Sequence, residues 1–192
     1  MNIAISGPMC SGKTTIANLI KLINNDFKIY SFGQKIKDIA HELFNMDKNY
    51  KDRSLIINIA DKMRDIDPDV WAKYTIKQTK KDNYCIIDDL RFQNELDLLE
   101  KENDWIYIVL NINESIRLSR LKKLYPDNFQ DHIKNMSHLS EKGQLNFKNK
   151  KNVMYINSND SLENIKYNIL LLFLNFKLPL SDICDIFFIW SL

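Results

Sequence analysis

The stretch Gly7-Pro8-Met9-Cys10-Ser11-Gly12-Lys13-Thr14 decides the fold, because it fits the pattern G-x-x-x-x-G-K-[ST]. The apolar run Asn2–Ser6 precedes it, and an amphipathic helical pattern over Thr14–Ile23 follows it. In such a loop the backbone N–H groups converge on phosphate oxygens, and the helix points its positive end at the same oxygens. The sequence therefore predicts a strand, loop and helix that bind a nucleoside triphosphate.

Within this loop, each side chain has a predicted task. Lys13 reaches the β- and γ-phosphates, the Thr14 hydroxyl binds Mg²⁺, and Thr15 adds a hydroxyl to the α-phosphate. The predicted nucleotide-binding residues of the loop are Gly7, Pro8, Cys10, Ser11, Gly12, Lys13, Thr14 and Thr15.

Apolar runs and helical patterns alternate along the chain. The runs that predict buried strands are Asn2–Ser6, Phe27–Tyr30, Tyr84–Asp88, Trp105–Leu110 and Val153–Ile156. The predicted helices are Thr14–Ile23, Gln34–Phe44, Leu55–Met63, Val70–Thr79, Asn94–Lys101, Ser115–Leu124 and Leu162–Phe173. This alternation predicts an α/β P-loop fold, with a five-stranded parallel sheet covered by helices on both faces, in a single domain over 1–192.

Two connections are longer than a minimal strand–helix–strand unit needs, at 31–83 and 111–152. Long connections usually carry function. We therefore predict an acceptor-binding insertion at 31–83 and a lid at 115–151.

The composition narrows the class of protein. A net charge of +2 over 192 residues is too weak for a polymeric nucleic-acid partner, and the apolar stretch Ile169–Leu174 is too short to cross a membrane. Three separated cysteines show no disulfide framework, which favours a reducing, cytoplasmic location. The apolar tail at 177–192 is expected to pack on the body or on a second subunit in a homodimer.

Other phosphate-loop proteins fit less well. A GTPase needs an Asp-x-x-Gly switch and an Asn-Lys-x-Asp guanine reader, whereas Asn149-Lys150-Lys151-Asn152 ends in asparagine. A motor or AAA-type ATPase normally needs a larger domain than this chain provides.

The third predicted strand ends in the charged sequence Asp88-Asp89-Leu90-Arg91-Phe92. A carboxylate at this end of a strand beside a phosphate loop can hold Mg²⁺, which suits Asp89. The planar fork of Arg91 can clamp an acceptor phosphate. The alternative is a buried ion pair that caps the strand.

Residues 88–95, Asp-Asp-Leu-Arg-Phe-Gln-Asn-Glu, resemble the signature of the deoxynucleoside monophosphate kinases of phages and large DNA viruses. That family belongs to the nucleoside monophosphate kinase superfamily. The resemblance covers residues 1–165 and extends to 31–37, 51–53, 64–71 and 138–141. It implies a five-stranded parallel sheet with an acceptor-binding insertion and a lid.

The resemblance also implies roles in the acceptor site. Lys37, Arg64 and Arg91 hold the acceptor monophosphate, Trp71 stacks on or shapes the base pocket, and Asp67 reads a base edge or orients Arg64. The implied substrate-binding residues are Phe32, Lys37, Arg64, Asp67, Trp71, Arg91 and Glu95. Simpler alternatives are a core position for Trp71, a solvated position for Lys37, and pairing of Arg64 with Asp61, Asp65 or Asp67.

In the predicted lid, Arg117 and Arg120 share one helix face. By resemblance they close over the ATP phosphates, and the alternative is a solvated basic face. Glu141 either bonds to a lid arginine or lies on the surface. Asn157 and Ser158, after the last strand, lie where the family contacts adenine, largely through the backbone.

These patterns predict ATP- and Mg²⁺-dependent phosphorylation of a (deoxy)nucleoside monophosphate. The predicted catalytic residues are Lys13, Asp89, Arg91, Arg117 and Arg120, and the predicted metal ligands are Thr14 and Asp89. A viral origin would place the protein in the host cytoplasm or a virus factory. The alternatives are another small-molecule kinase, of the dephospho-coenzyme A or phosphomevalonate type, or a non-catalytic protein that binds nucleoside triphosphates.

Overall fold

The computed structural model describes residues 1–47, 52–102, 104–142, 145–148 and 150–180. Its strands are β1 (Asn2–Ser6), β2 (Lys28–Tyr30), β3 (Cys85–Leu90), β4 (Trp105–Asn111) and β5 (Val153–Asn157). Its α-helices are α1 (Lys13–Ile23), α2 (Gln34–Phe44), α3 (Arg53–Ile66), α4 (Val70–Thr79), α5 (Gln93–Lys101), α6 (Glu114–Leu124), α7 (Phe129–Lys134), α8 (Leu139–Lys142) and α9 (Leu162–Asn175).

The five strands form one parallel sheet in the order β2-β3-β1-β4-β5. β1 lies at the centre, and its residues Ile3, Ala4 and Ile5 have no exposed surface. A strand buried on both faces must be apolar throughout, which is why the unbroken apolar runs predicted the sheet. The predicted α/β fold with a five-stranded parallel sheet is confirmed.

Helices cover both faces of the sheet. On one face α1 and α9 pack on a cluster that includes Ile5, Ile20 and Phe173. On the other face α4 and α5 pack on a cluster that includes Ile87 and Leu99. A third cluster joins α2, α3 and α4 beside the sheet, so the connection between β2 and β3 builds a small core of its own.

The strand order brings the ends of β1 and β3 together. These strands are parallel neighbours, so their carboxyl ends lie at the same edge of the sheet. The phosphate loop leaves β1 at this edge, and Asp88 and Asp89 lie near the end of β3. Ligands of open α/β sheets bind at such an edge.

Two parts of the chain differ from the prediction. The helix predicted at Leu55–Met63 runs over Arg53–Ile66, because the Asp52 side chain accepts the Leu55 N–H as its N-cap. The polar run that follows Pro126, for which no helix was predicted, contains α7, a 3₁₀ turn at Asn135–Ser137 and α8. Helices this short have too few apolar residues to show a helical period.

The start of the tail packs on the body. Leu178 is buried in the cluster under α1 and α9, and the Asn24 side chain donates to the Pro179 carbonyl at 2.9 Å. The predicted contact of the more distal apolar residues, Phe187 to Trp190, lies outside the described residues. Within the described part of the chain, no helix has the length and apolar character needed to span a membrane.

Candidate active site

The phosphate loop joins β1 to α1, and its glycines are required by its shape. A Cβ atom on Gly7 would lie 2.7 Å from the Ser11 Oγ and 2.9 Å from the Leu110 Cβ. Gly12 precedes α1 with φ of 94°, in the left-handed region that glycine tolerates. The chain can therefore close tightly around an anion at the start of α1.

Lys13 lies inside the loop. Its Nζ donates to the carbonyls of Gly7 at 2.7 Å and Pro8 at 2.8 Å, and its side chain is buried. Burial, followed by the charge of Arg91, lowers the pKa of Lys13 to about 7. A phosphate group in the loop would supply the negative charge that favours the ammonium form.

Asp88 and Asp89 point in opposite directions from β3, because successive side chains of a strand alternate. The Thr14 hydroxyl donates to Asp88 at 3.3 Å, and the Ser31 hydroxyl also bonds to Asp88. Asp89 instead accepts the backbone N–H of Phe32 at 2.7 Å and of Gly33 at 2.9 Å. The assignment of the metal to Asp89 is therefore corrected, since Asp88 is the carboxylate beside Thr14.

These positions predict different effects for two matched substitutions. In Asp88→Asn we expect Mg²⁺ to lose most of its effect on ATP affinity, because the carboxylate beside Thr14 becomes neutral. In Asp89→Asn we expect a loss of about 1–3 kcal/mol of stability, because an amide NH₂ meets a backbone donor. Calorimetric ATP titrations with and without Mg²⁺, together with urea unfolding, test both. The opposite pattern would restore Asp89 as the metal ligand.

One cavity of about 620 Å³ opens beside the loop. At one end Gly12, Lys13, Thr14 and Thr15 form its wall. At the other end the wall comes from the connection between β2 and β3 and from residues after β3, and includes Phe32, Lys37, Arg53, Arg64, Arg91 and Phe92. The cavity thus joins a phosphate loop to a second, cationic compartment.

Three arginines converge on one carboxylate between these two ends. The Glu141 side chain is fully buried and binds Arg53 at 2.8 Å, Arg117 at 2.9 Å and Arg91. It also accepts the backbone N–H of Met9, in the phosphate loop, at 2.8 Å. Of the two alternatives for Glu141, the structure shows the bond to a lid arginine.

Arg117 and Arg120 of α6 take different positions. Arg117 is buried, and its Nε donates to the Met9 carbonyl at 3.1 Å, so it lies behind the loop. Arg120 lines the cavity and donates to the Ser158 carbonyl at 2.8 Å. The alternative of a solvated basic face on α6 therefore does not describe these two arginines. Of the two, only Arg120 lines the cavity in this conformation.

After β5, the residue at the cavity is Ser158 and not Asn157. The Asn157 side chain is exposed and donates to Asp160 at 2.7 Å. Ser158 is buried, lines the cavity and bonds through its hydroxyl to the Ser11 carbonyl. Of the predicted pair Asn157 and Ser158, only Ser158 lines the cavity, so a contact of the Asn157 side chain with the nucleotide is corrected, because side-chain direction alternates along the chain here.

Three of the predicted substrate-binding residues, Phe32, Lys37 and Arg64, line the acceptor end of the cavity. The Arg64 guanidinium lies 4.2 Å from the centre of the Phe92 ring and pairs with Asp61 at 3.1 Å. Stacking on Phe92 holds this cation in the wall of the cavity.

Trp71 and Asp67 lie elsewhere. Trp71 is 3% exposed, packs in the core of the insertion, and donates its indole N–H to the Ala60 carbonyl at 3.1 Å. Asp67 pairs with Lys73 at 3.0 Å on the surface. Neither residue lines the cavity, so their predicted contacts with a base are corrected. Trp71 instead takes the core position that was its alternative.

Glu95 is a buried carboxylate at the acceptor end of the cavity. It accepts the backbone N–H groups of Arg91 at 2.9 Å and Phe92 at 3.0 Å, and so caps α5. Burial raises the pKa of Glu95 to about 7, although these two bonds act in the opposite direction. Its direct partners are backbone donors, which supports a role in positioning Arg91.

This raised pKa predicts a pH-dependent stability. The folded chain holds the Glu95 proton up to a pH of about 7, whereas the unfolded chain releases it near 4.5. The contribution of protonated Glu95 to the free energy of unfolding is complete below pH 4.5 and disappears as the pH rises through 7. We expect Glu95→Gln to gain about 3 kcal/mol relative to the wild type across this interval. Urea unfolding at a series of pH values measures the gain, and parallel curves for the two proteins would contradict it.

Three residues of the site are brought to it only by the fold. Arg53, Glu141 and Ser158 are far apart in the chain, and each is defined by a contact that only the fold creates. The Asp52 N-cap offered one local signal, since it places Arg53 at the first turn of α3. For Glu141 the sequence carries no signal beyond the Ser-Glu pair of the resemblance.

The residues present fit a Mg²⁺-bound triphosphate. Within the described residues, the buried Ser11 Oγ has no hydrogen-bond partner. A phosphate oxygen bound in the loop would supply one. Thr14 is exposed to the cavity beside the Asp88 carboxylate. Hydroxyl and carboxylate oxygens, completed by water and phosphate, are the ligands that Mg²⁺ takes at such sites.

Two solved structures that share this fold are described as kinases. A gluconokinase from Sinorhizobium meliloti 1021 aligns with a TM-score of 0.55 at 11% identity, over 91% of this chain and 92% of its own. A sugar kinase from Janibacter sp. HTCC2649 aligns with a TM-score of 0.53 at 13% identity, over 89% and 92%. The chain thus has the fold of P-loop kinases, with the phosphate-loop pattern between β1 and α1.

Residues 3–137 match a family described as an AAA domain, and the chain belongs to that family. We expected an AAA-type domain to need a longer chain than this one. That expectation is wrong, because the matching segment spans only residues 3–137. No curated protein matches the sequence.

Proposed function

We propose that the protein transfers the γ-phosphoryl group of ATP to a (deoxy)nucleoside monophosphate, with Mg²⁺, and releases the diphosphate. The observation that carries this proposal is the two-ended cavity. A phosphate loop forms one end, and a cationic, aromatic compartment forms the other. A site of this kind holds two phosphorylated substrates with their reacting groups between the ends.

The charge of the acceptor end supports a phosphate-bearing acceptor. Arg53, Arg64, Arg91 and Lys37 all contribute to its wall. A doubly charged phosphate needs several donors in a partly desolvated site. Its oxygen is already ionised, so the attack needs no general base.

The apolar part of the same end supports a planar group on that acceptor. Phe92 lines the cavity with Arg64 stacked against it, and Phe32, Ile36 and Ile56 continue the apolar wall. Flat rings and aliphatic side chains suit a nucleobase better than a polyhydroxylated acceptor. The resemblance of residues 88–95 to viral deoxynucleoside monophosphate kinases supports the deoxy form.

The chain's own residues have separable tasks in this transfer. Lys13 and Arg120 neutralise charge on the donor phosphates, and Arg91 orients the acceptor phosphate. Thr14 and Asp88 would hold Mg²⁺, which would neutralise charge on the donor phosphates. Enclosure of the reacting groups excludes water, which would otherwise accept the phosphoryl group.

A coupled assay of ADP release across a panel of acceptors tests the proposal. The panel contains the deoxynucleoside and ribonucleoside monophosphates, dephospho-coenzyme A, phosphomevalonate, and gluconate, the acceptor in the name of the S. meliloti protein. ADP release with nucleoside monophosphates alone is the expected result. Release only with another acceptor would reassign the substrate, and ATP binding without release in any mixture would favour a non-catalytic nucleotide-binding protein.

A further inference from the structure

The Glu141 carboxylate has the surroundings that a phosphoryl group needs. Its two oxygens accept bonds from Arg53, Arg91 and Arg117, here called the arginine triad, and from the Met9 N–H. Met9 is part of the loop whose backbone donors serve phosphate oxygens. Donors from two loops and two helices thus meet at one anion.

The charges within this group do not balance. The arginine triad carries three positive charges, Glu141 supplies one buried negative charge, and the exposed Glu114 pairs with Arg117 at 3.5 Å, so one positive charge remains in excess. Burial, followed by the charge of Arg91, lowers the pKa of Arg53, and its buried Nε has no hydrogen-bond partner within the described chain. The triad therefore has both charge and donor capacity for an anion larger than a carboxylate.

Glu141 itself is held in the ionised form. Burial alone would raise its pKa, but Arg91, the Met9 N–H, Arg53 and Lys13 together hold it below the usual range. A charged carboxylate in this place competes directly with any incoming phosphate.

The helix that carries Glu141 is weakly attached. α8 has only four residues, Leu139–Lys142, and Leu139 is 70% exposed. Arg91 donates to the Ser140 carbonyl at 3.0 Å, so the triad also anchors the backbone of α8. Departure of Glu141 removes its bonds to the triad and to the Met9 N–H, and release of α8 then requires only that the Arg91 bond to the Ser140 carbonyl breaks as well.

We propose that the arginine triad and the Met9 N–H form a phosphoryl subsite that Glu141 fills in the nucleotide-free protein. The phosphoryl group that passes from donor to acceptor takes the place of the carboxylate, so that Arg91 contacts it as well as the acceptor phosphate, and Glu141 leaves together with α8. Met9, Arg53 and Arg91 already line the cavity, so departure of Glu141 extends the cavity to the whole triad. The inference rests on nucleotide binding by the phosphate loop and is independent of which acceptor the proposed reaction uses.

Calorimetric titration with inorganic tripolyphosphate tests the competition without any turnover. In Glu141→Gln, which removes the charge but keeps the shape, we expect tripolyphosphate to bind about tenfold more tightly than in the wild type. Glu114→Gln is the matched control, because Glu114 pairs with Arg117 at 3.5 Å from the solvent side and should leave the affinity unchanged. Weaker binding to Glu141→Gln would overturn the proposal and make Glu141 a fixed support of the triad.

A second measurement uses the wild-type protein alone, because Glu141→Gln leaves buried guanidinium groups without a counter-ion and can destabilise the fold. Hydrogen exchange is followed for residues 139–142 and for the phosphate loop, with and without tripolyphosphate. We expect exchange to fall in the loop and to rise in α8. Unchanged or slower exchange in α8, with tripolyphosphate bound in the loop, would show that Glu141 stays in place and would refute the proposal.

Discussion

Lys13→Ala is expected to lower kcat by about 10²–10³-fold while the fold remains intact. The Lys13 Nζ lies inside the loop, bonded to the Gly7 and Pro8 carbonyls, where the donor phosphates would replace these contacts. Its charge is available to the transferring group and cannot be supplied from elsewhere on α1. Because the loop faces the cavity, water can hydrate the two carbonyls in the variant, so folding should survive.

The measurement is ADP release at saturating ATP with the best acceptor of the panel, beside thermal unfolding monitored by circular dichroism. Lys21→Ala is the control, since Lys21 lies in the last turn of the same helix, away from the loop. It removes an equal charge and should retain wild-type kcat. Equal activity of Lys13→Ala and the control would remove the loop lysine from the mechanism.

Arg91→Ala is expected to lower kcat/KM for the acceptor by about 10²–10³-fold. Arg91 lines the acceptor end of the cavity, and its guanidinium bonds to Glu141 and to the Ser140 carbonyl. Its loss therefore removes a phosphate clamp and an anchor of α8. Arg91→Lys should recover only part of the activity, because a point charge cannot make two parallel bonds to a phosphate.

Initial rates over a matrix of ATP and acceptor concentrations separate the two effects. Loss of the clamp should raise the KM of the acceptor more than that of ATP. Lys101→Ala, at the exposed end of α5, is the control for a surface charge after β3. Near-normal activity of Arg91→Ala toward monophosphates would show that the acceptor phosphate binds elsewhere.

The fold was predictable because its signals are local. Each strand contains a short apolar run, and α1 shows its buried stripe at Ile16, Leu19, Ile20 and Ile23. A glycine pattern fixed the position of the phosphate loop relative to β1. The short helices α7 and α8 were not predictable, since their stability depends on contacts with distant parts of the chain.

For the site, the sequence predicted which types of residue are present but not where each side chain lies. Two adjacent carboxylates at the end of β3 were expected to serve a metal, but which of them meets Thr14 depends on the direction of the strand in the finished sheet. Arg117 and Arg120 share a helix face as expected, yet one reaches behind the loop and the other reaches the cavity. Glu141 lies 88 residues from Arg53 along the chain, a separation that no local pattern encodes.

Asp89 fixes the distance between the donor and acceptor halves of the site. Its carboxylate holds the Phe32 and Gly33 amides, and therefore ties the entrance of the acceptor compartment to the strand beside the phosphate loop. The residues of α2 and α3 that contact an acceptor can then diverge while the spacing between donor and acceptor stays constant. Changes of acceptor preference during evolution are thus open to this chain without any alteration of its donor half.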